Sequence, residues 1–166
     1  LVILLIVTLT LSCGNLNTEN RSEASGKQDT LIFDKNRSGK SKNKDSLILI
    51  IAVGDIMLGS NYPSNYSLPP GDGRFLLDSA SDILRSADLT FGNLEGTFLN
   101  KGGTPKRCNT PDNCVSFRMP EHYCGYLKEA GFDVMSLANN HSNDMGEVGK
   151  TSTMNALNYN SIYYAG

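Results

Sequence analysis

The sequence predicts an α/β protein, and three observations lead to this class. Apolar, β-branched stretches alternate with segments of helical periodicity, in the order strand, helix, strand, helix, strand, helix, strand. Such alternation is typical of a parallel or mixed sheet covered by helices. Polar residues with metal-binding capacity directly follow successive strands, and the carboxyl ends of strands are where open α/β sheets bind ligands.

Length and composition limit the class of function. The chain has 166 residues, 39% of them hydrophobic, and a net charge of −2, which predicts one ordinary domain and no nucleic-acid partner. It contains no Gly-x-Gly-x-x-Gly fingerprint and no Gly-x-Ser-x-Gly elbow, so a serine hydrolase is unsupported. The first residue is not Met and residues 161–166 resemble the start of a further strand, so we expect a fragment of a longer protein.

The first 13 residues predict an export signal. Residues 1–11 are almost wholly apolar, which is too short for the about 20 residues that span a bilayer but matches a signal-peptide h-region. Cys13 follows the small residue Ser12, as at a bacterial lipoprotein cleavage site. A cleaved secretion signal and a retained anchor are the alternatives. All three predict an extracytoplasmic protein of the bacterial cell envelope, and we favour a membrane-anchored lipoprotein.

Residues 14–46 predict a flexible tether. They are rich in Asn, Ser, Lys, Arg and Glu, and they cannot bury enough apolar surface to offset the entropy of ordering. Their basic end could touch anionic lipid or polymer, although a solvated linker is the simpler interpretation.

The domain expected over residues 47–166 opens with a strand over residues 47–53, apolar enough to be covered on both faces. Asp55 would then lie just past the end of this strand. A second strand over residues 88–96 ends in a turn that carries Asn93 and Glu95. Between the two strands an amphipathic helix is predicted by the stripe Leu76, Ala80, Ile83, Leu84 and Ala87.

A second helix is predicted after an irregular insertion. Pro120 suits its first turn, and Gly131 suits the position just after its end. The residues expected on its buried face are Tyr123, Leu127 and Ala130.

The last predicted elements are a buried strand over residues 132–137, a helix over residues 145–158 and a strand over residues 162–164. Asp144 and Glu147 resemble a capping box that opens the helix. The apolar stripe of this helix would be Val148, Met154 and Leu157.

The cysteines follow from an exported location. Cys108 and Cys114 flank a turn-rich segment of the insertion, and an oxidising compartment predicts a disulfide between them. Cys124 lies on a predicted helix and is expected to be a buried or half-buried thiol.

Three strand ends carry the candidate site: Asp55, then Asn93 and Glu95, then Asn140 and His141. We expect them to converge at one edge of the sheet. Mixed oxygen and nitrogen ligands suit Mn²⁺, Fe²⁺, Mg²⁺ or Zn²⁺. Two such ions would polarise a phosphoryl oxygen and generate a hydroxide nucleophile, and His141 could protonate the leaving oxygen. The alternative is that all five residues only complete turns and helix starts.

Three sequence blocks resemble the CapA family of capsule-synthesis proteins. They are Gly-Asp-Ile-Met-Leu-Gly at 54–59, Thr-Phe-Gly-Asn-Leu-Glu-Gly at 90–96 and Ser-Leu-Ala-Asn-Asn-His-Ser-Asn-Asp-Met-Gly-Glu at 136–147. That family is associated with poly-γ-glutamate synthesis or export and belongs to the calcineurin-like metallophosphoesterase superfamily. The resemblance implies that residues 47–166 are the N-terminal part of a two-sheet sandwich flanked by helices.

The resemblance also implies roles for individual residues. Asp55, Asn93 or Glu95, and Asn140 would match the metal-binding motifs, with Glu95 preferred over Asn93 because a carboxylate suits a dication. His141 would match the catalytic histidine. The superfamily usually has His at the position of Met57, and its later His-bearing motifs are absent here, so this fragment alone would hold two metals weakly.

Three functions follow from this resemblance. The first is a capsule-synthesis or export protein with a metal-dependent phosphoesterase-like site, acting on an anionic polymer or phosphoester beside membrane synthase subunits. The second is a non-catalytic scaffold or polymer-binding subunit with a degenerate site, which Met57 favours. The third is a secreted metallophosphatase unrelated to capsule. His122, the other histidine, is expected to have a surface role.

Overall fold

The computed structural model describes residues 47–108 and 114–166. The predicted signal over residues 1–13 and the predicted tether over residues 14–46 lie outside the described residues. Among the helices of the described part, none is both long and apolar enough to cross a membrane.

A parallel sheet of four strands forms the centre of the fold, which confirms the α/β class. In order across the sheet its strands are β1 (Ile50–Ile56), β2 (Leu89–Leu94), β5 (Val134–Ser136) and β6 (Tyr163–Ala165). A second, two-stranded parallel sheet pairs β3 (Thr97–Phe98) with β4 (Arg118–Met119). Because every neighbour in the main sheet is parallel, all four carboxyl ends meet at one edge.

In the described part of the chain three α-helices accompany the sheets: α1 (Asp78–Leu84), α2 (Tyr123–Ala130) and α3 (Gly146–Tyr159). Helix α1 packs against α2, while α3 contacts β3 and β6. The predicted buried face of α2 is confirmed, and Gly131 ends this helix in the left-handed conformation with φ 104°. A side chain would be strained there, which is why glycine fits.

The predicted apolar stripe of α3 is wrong at Val148, whose surface is 59% exposed. The buried residues of α3 are Gly149, Thr153 and Leu157. The Thr153 hydroxyl accepts a hydrogen bond from the backbone N–H of Phe98 at 2.9 Å and donates one to the carbonyl of Gly149 at 2.8 Å. Helix α3 thus packs closely on β3 through small and hydroxyl side chains, a pattern that apolar periodicity does not detect.

The predicted strand ends are wrong in a way that matters for the site. Strand β1 covers Ile50–Ile56, so Asp55 lies within the strand rather than past it. The backbone continues to pair because a register shift between Ala52 and Asp55 sets Asp55 opposite Asn93 of β2. Asn93 in turn pairs with Ser136 of β5. The register therefore brings three strand ends into line.

The core is formed by side chains from both sheets and all three helices. Its largest fully buried members are Tyr123, Phe98, Phe132, Leu94, Met119, Leu127, Met135, Met145, Leu157 and Ile162. This packed core holds the strand ends in place, so the polar side chains at the carboxyl edge project from a rigid part of the fold.

Both cysteine predictions are confirmed. Cys108 and Cys114 form a disulfide with their Cα atoms 5.5 Å apart. Cys124 is fully buried on α2. Burial raises the pKa of the Cys124 thiol to about 12, so it stays protonated and unreactive at neutral pH.

Candidate metal and phosphoester site

A hydrogen-bonded row of side chains crosses the carboxyl edge of the main sheet. The Asn93 amide donates to Asp55 Oδ1 at 2.7 Å. The Asn139 amide donates to Asn93 Oδ1 at 3.0 Å and to the carbonyl of Leu94 at 2.9 Å. This row joins β1, β2 and the loop after β5, and it orients the exposed carboxylate of Asp55.

Glu95 and His141 lie beside this row. Glu95 Oε1 is 3.8 Å from His141 Nε2, and the two side chains are 23% and 12% exposed. Burial and the neighbouring carboxylate of Asp55 raise the pKa of Glu95, and the positive charge of a protonated His141 opposes this. Neighbouring carboxylates repel each other unless a proton or a cation lies between them.

Asp144 fixes the ring of His141 from behind. Its Oδ2 atom is 2.8 Å from His141 Nδ1, while Lys106 Nζ is 3.1 Å from the same nitrogen. An ionised carboxylate can only accept, so Nδ1 carries the proton, and the Lys106 ammonium directs its protons elsewhere. The assignment leaves Nε2, on the side of Glu95, as the nitrogen that can take up or release a proton.

The side chain of Asp144 is fully buried and ion-paired. Its Oδ1 atom is 2.7 Å from Lys106 Nζ, a charge contact without an aligned hydrogen bond. Its Oδ2 atom also accepts the backbone N–H of Phe117 at 2.6 Å. The predicted capping role is wrong, because Met145 is the N-cap of α3 and no side chain caps that helix. The carboxylate instead serves the site.

The irregular insertion over residues 101–116 places Lys106 at this position and leads directly into Phe117. The backbone N–H of Lys106 donates to the carbonyl of Asp144 at 2.9 Å, so the insertion runs beside the start of α3. The Phe117 ring lies 4.6 Å from the His141 ring, measured between centroids. The disulfide at Cys108 and Cys114 closes the insertion between these two residues.

The structure brings together four of the five predicted site residues: Asp55, Asn93, Glu95 and His141. Asn140 lies on the same loop with an exposed side chain, and its carbonyl accepts a hydrogen bond from Lys106 at 3.3 Å.

Sequence reasoning did not assign Asn139, Lys106 or Asp144 to the site. The backbone N–H of His141 donates to Asn139 Oδ1 at 3.0 Å, so the side chain of Asn139 also holds the loop that carries His141. One signal in the sequence marks two of these residues, since Asn139 and Asp144 belong to the same block as His141.

His122 lies at the start of α2 with its side chain 52% exposed, in agreement with a surface position. Its Nε2 atom is 2.7 Å from Asp72 Oδ2. This hydrogen bond lowers the pKa of Asp72.

The donor set fits a divalent cation in its chemistry. Asp55 and Glu95 offer adjacent carboxylates and Asn93 an amide oxygen, and the repulsion between the carboxylates is what a cation would relieve. Within residues 47–108 and 114–166, no three His, Cys, Asp or Glu side chains are arranged to hold a metal by themselves. Any ion would therefore also use amide oxygen, water or groups from elsewhere.

Fold and cluster together define an α/β protein with a carboxylate- and imidazole-containing site at the carboxyl edge of a parallel sheet. The sequence model of the family described as bacterial capsule synthesis protein PGA_cap matches residues 49–166. The chain belongs to this family, which confirms the resemblance to CapA.

One relative has a name that agrees with this assignment. The sequence is 29% identical to the capsule biosynthesis protein CapA of Bacillus anthracis over 127 residues, which are 76% of this chain and 30% of that protein. It is 33% identical to the uncharacterized protein y4sH of Sinorhizobium fredii over 120 residues, 70% of this chain and 24% of the relative. The chain thus spans between about a quarter and a third of the length of the curated relatives it matches.

Proposed function

We propose that this chain is the part of a capsule-synthesis or export protein that carries a divalent-metal phosphoester site. One observation carries the proposal: the contact cluster of Asp55, Asn93, Glu95 and His141 at the carboxyl edge, with Asp144 buried behind the histidine. Family membership supports the capsule role. The printed name of the Bacillus anthracis relative supports the same role.

Asp55 and Glu95 would hold the cation, assisted by the amide oxygen of Asn93 and by Asn140, whose exposed side chain is free to turn. We expect Mn²⁺, Fe²⁺, Mg²⁺ or Zn²⁺, with a second ion once the remaining ligands are supplied. Such an ion, when bound, polarises a phosphoryl oxygen and lowers the pKa of bound water. In the metal-free protein the Asn93 oxygen accepts the Asn139 amide and the Asn93 NH2 group faces Asp55, so the Asn93 amide would have to turn to bring its oxygen to the cation.

His141 would act as the general acid. Asp144 accepts a hydrogen bond from Nδ1–H, so Nε2 faces the Glu95 side, where a leaving oxygen would lie. Phe117 covers one face of the ring and limits access of water. The geometry is that of an oriented imidazole whose second nitrogen is held by a buried carboxylate.

We also propose the location and partners of the protein. An extracytoplasmic site, anchored through a lipid on Cys13, would meet an anionic polymer or phosphoester at the outer face of the membrane beside synthase subunits.

The two remaining candidate functions are a scaffold subunit with a degenerate site, which Met57 and the small number of charged ligands favour, and a metallophosphatase without a capsule role.

The test is hydrolysis of bis(p-nitrophenyl) phosphate by Mn²⁺-loaded protein. His141→Gln should lower turnover by about 10²- to 10⁴-fold with metal content unchanged, because it removes a proton donor. His122→Gln is the matched control, since that histidine is exposed and pairs with Asp72, and it should keep full turnover. Full metal with no turnover in the wild type would refute the enzyme and leave the scaffold.

A further inference from the structure

An apolar groove opens beside the candidate site. Its volume is about 780 Å³, and it lies between the loop that follows β1 and the segment that precedes β4. The side chains that define it are Met57, Tyr62, Tyr66, Leu76, Val115 and Phe117. This volume falls within the about 300–1,000 Å³ that small-molecule sites usually have.

The groove is continuous with the site at two points. Phe117 lines the groove and also lies against His141, with its backbone N–H bonded to Asp144. Met57 lines the groove two residues after Asp55. A molecule whose phosphoryl group sat between Asp55 and His141 would therefore extend its next substituent into the groove.

The far wall of the groove is held in place before any ligand arrives. Arg118 donates from Nε to Asn61 Oδ1 at 2.6 Å, and its guanidinium lies 5.5 Å from the centre of the Tyr62 ring. The N–H of Ser60 donates to the carbonyl of Ser67 at 3.2 Å, which closes the loop that carries Tyr62. A wall fixed in this way costs little ordering entropy on binding.

The chemistry of the lining selects against charged substituents. Among the described residues that line the groove, none carries a charge. Met57 is 42% exposed, Tyr66 96%, Leu76 46% and Val115 51%, so large apolar side chains face solvent together there. Such a patch indicates a binding surface. These lining side chains offer an anionic polymer no partner charge, whereas they would remove an aliphatic chain from water.

We propose that the groove binds the aliphatic chain of a lipid-type phosphoester. The phosphate group of this ligand would occupy the site at Asp55 and His141, so this part of the proposal depends on the proposed function. The binding of the aliphatic chain is inferred from the groove alone. Substrate selection would then depend on the chain, while the chemistry would depend on the site.

The test compares two phosphonates that differ only in their alkyl chain. Octylphosphonate and methylphosphonate are titrated into the full chain with Mn²⁺ and followed by calorimetry. Because each buried methylene contributes roughly fourfold in affinity, burial of two or more predicts at least about a tenfold preference for octylphosphonate. Val115→Asn should abolish most of this preference. Val148→Asn on α3 is the matched control, since that valine is similarly exposed, at 59%, and lies outside the groove.

Equal affinity for the two phosphonates would overturn the proposal, and so would a preference that Val115→Asn leaves unchanged. Hydrolysis of octyl and methyl p-nitrophenyl phosphate separates this result from the proposed function. Turnover of neither ester, with the octyl preference intact, would reject the phosphoesterase and support the groove as an aliphatic-chain site. Equal turnover of both esters, without a binding preference, would keep the enzyme and reject the groove.

Discussion

Replacement of Asp144 by Asn tests whether the buried carboxylate organises the site. The change keeps the size of the side chain and removes the charge that faces Lys106 at 2.7 Å and His141 Nδ1 at 2.8 Å. The new amide can still accept the N–H of Phe117. What is lost is a set of contacts that involve charged partners within a fully buried residue.

Asp144→Asn should lower the free energy of unfolding by about 1.5–3 kcal/mol, the range for hydrogen bonds to charged groups. Breaking a fully buried ion pair would cost about 3–5 kcal/mol. The lower range applies because the Lys106 side chain is 20% exposed and its ammonium can turn toward water. With a urea dependence near 2 kcal/mol/M, the unfolding midpoint should fall by about 1 M.

The assay is urea unfolding at pH 7 followed by circular dichroism. Asp82→Asn is the control, because that side chain is 97% exposed and pairs with Arg85 at 3.2 Å. An exposed pair of this kind contributes less than about 1 kcal/mol. If Asp144→Asn unfolded at the same urea concentration as Asp82→Asn, the stabilising role of the Asp144 carboxylate would be refuted.

Three further predictions follow from the same contacts. Burial and Asp55 raise the pKa of Glu95, so the ionised form of Glu95 opposes folding of the metal-free protein. Glu95→Gln should therefore raise the urea midpoint of unfolding at pH 7, and this gain should shrink as pH falls through the raised pKa toward the ordinary value of 4.5. A gain that does not change with pH would contradict this cause. Reduction of the Cys108–Cys114 disulfide by dithiothreitol should lower the free energy of unfolding by about 2–3 kcal/mol for so short a loop. The variant with both Cys108→Ser and Cys114→Ser is the control, and dithiothreitol should not change its stability. A urea midpoint of the wild type that reduction leaves unchanged would exclude this contribution. Cys13→Ala should release the protein from the membrane fraction of expressing bacteria, and unchanged retention and processing would count against lipid attachment.

The order of strands and helices could be predicted because the signals are local. Apolar runs identify strands, and Gly131 marks the end of α2 through its own backbone preference. The ends of the strands could not be predicted, since the register that pairs Asp55 with Asn93 depends on how β1 and β2 meet in space.

The sequence predicted the site residues that directly follow a strand. It did not predict the residues that other segments contribute to the site. Asp144 and Glu147 have the spacing of a capping box, so the sequence cannot tell that the Asp144 carboxylate turns toward His141 instead. Lys106 comes from an irregular insertion with no periodicity. Asn139 and Asn140 are adjacent in a turn, and only the fold shows which of them contacts Asn93.

Cation binding at the carboxyl edge is the central claim, and Mn²⁺ titration by calorimetry tests it most directly. The wild type should bind Mn²⁺, and Asp55→Asn should weaken binding at least tenfold, because it removes one of the two neighbouring carboxylates that would hold the cation. Asp82→Asn, with an exposed carboxylate on α1, should bind as the wild type does. Identical Mn²⁺ binding by the wild type and Asp55→Asn would contradict the claim.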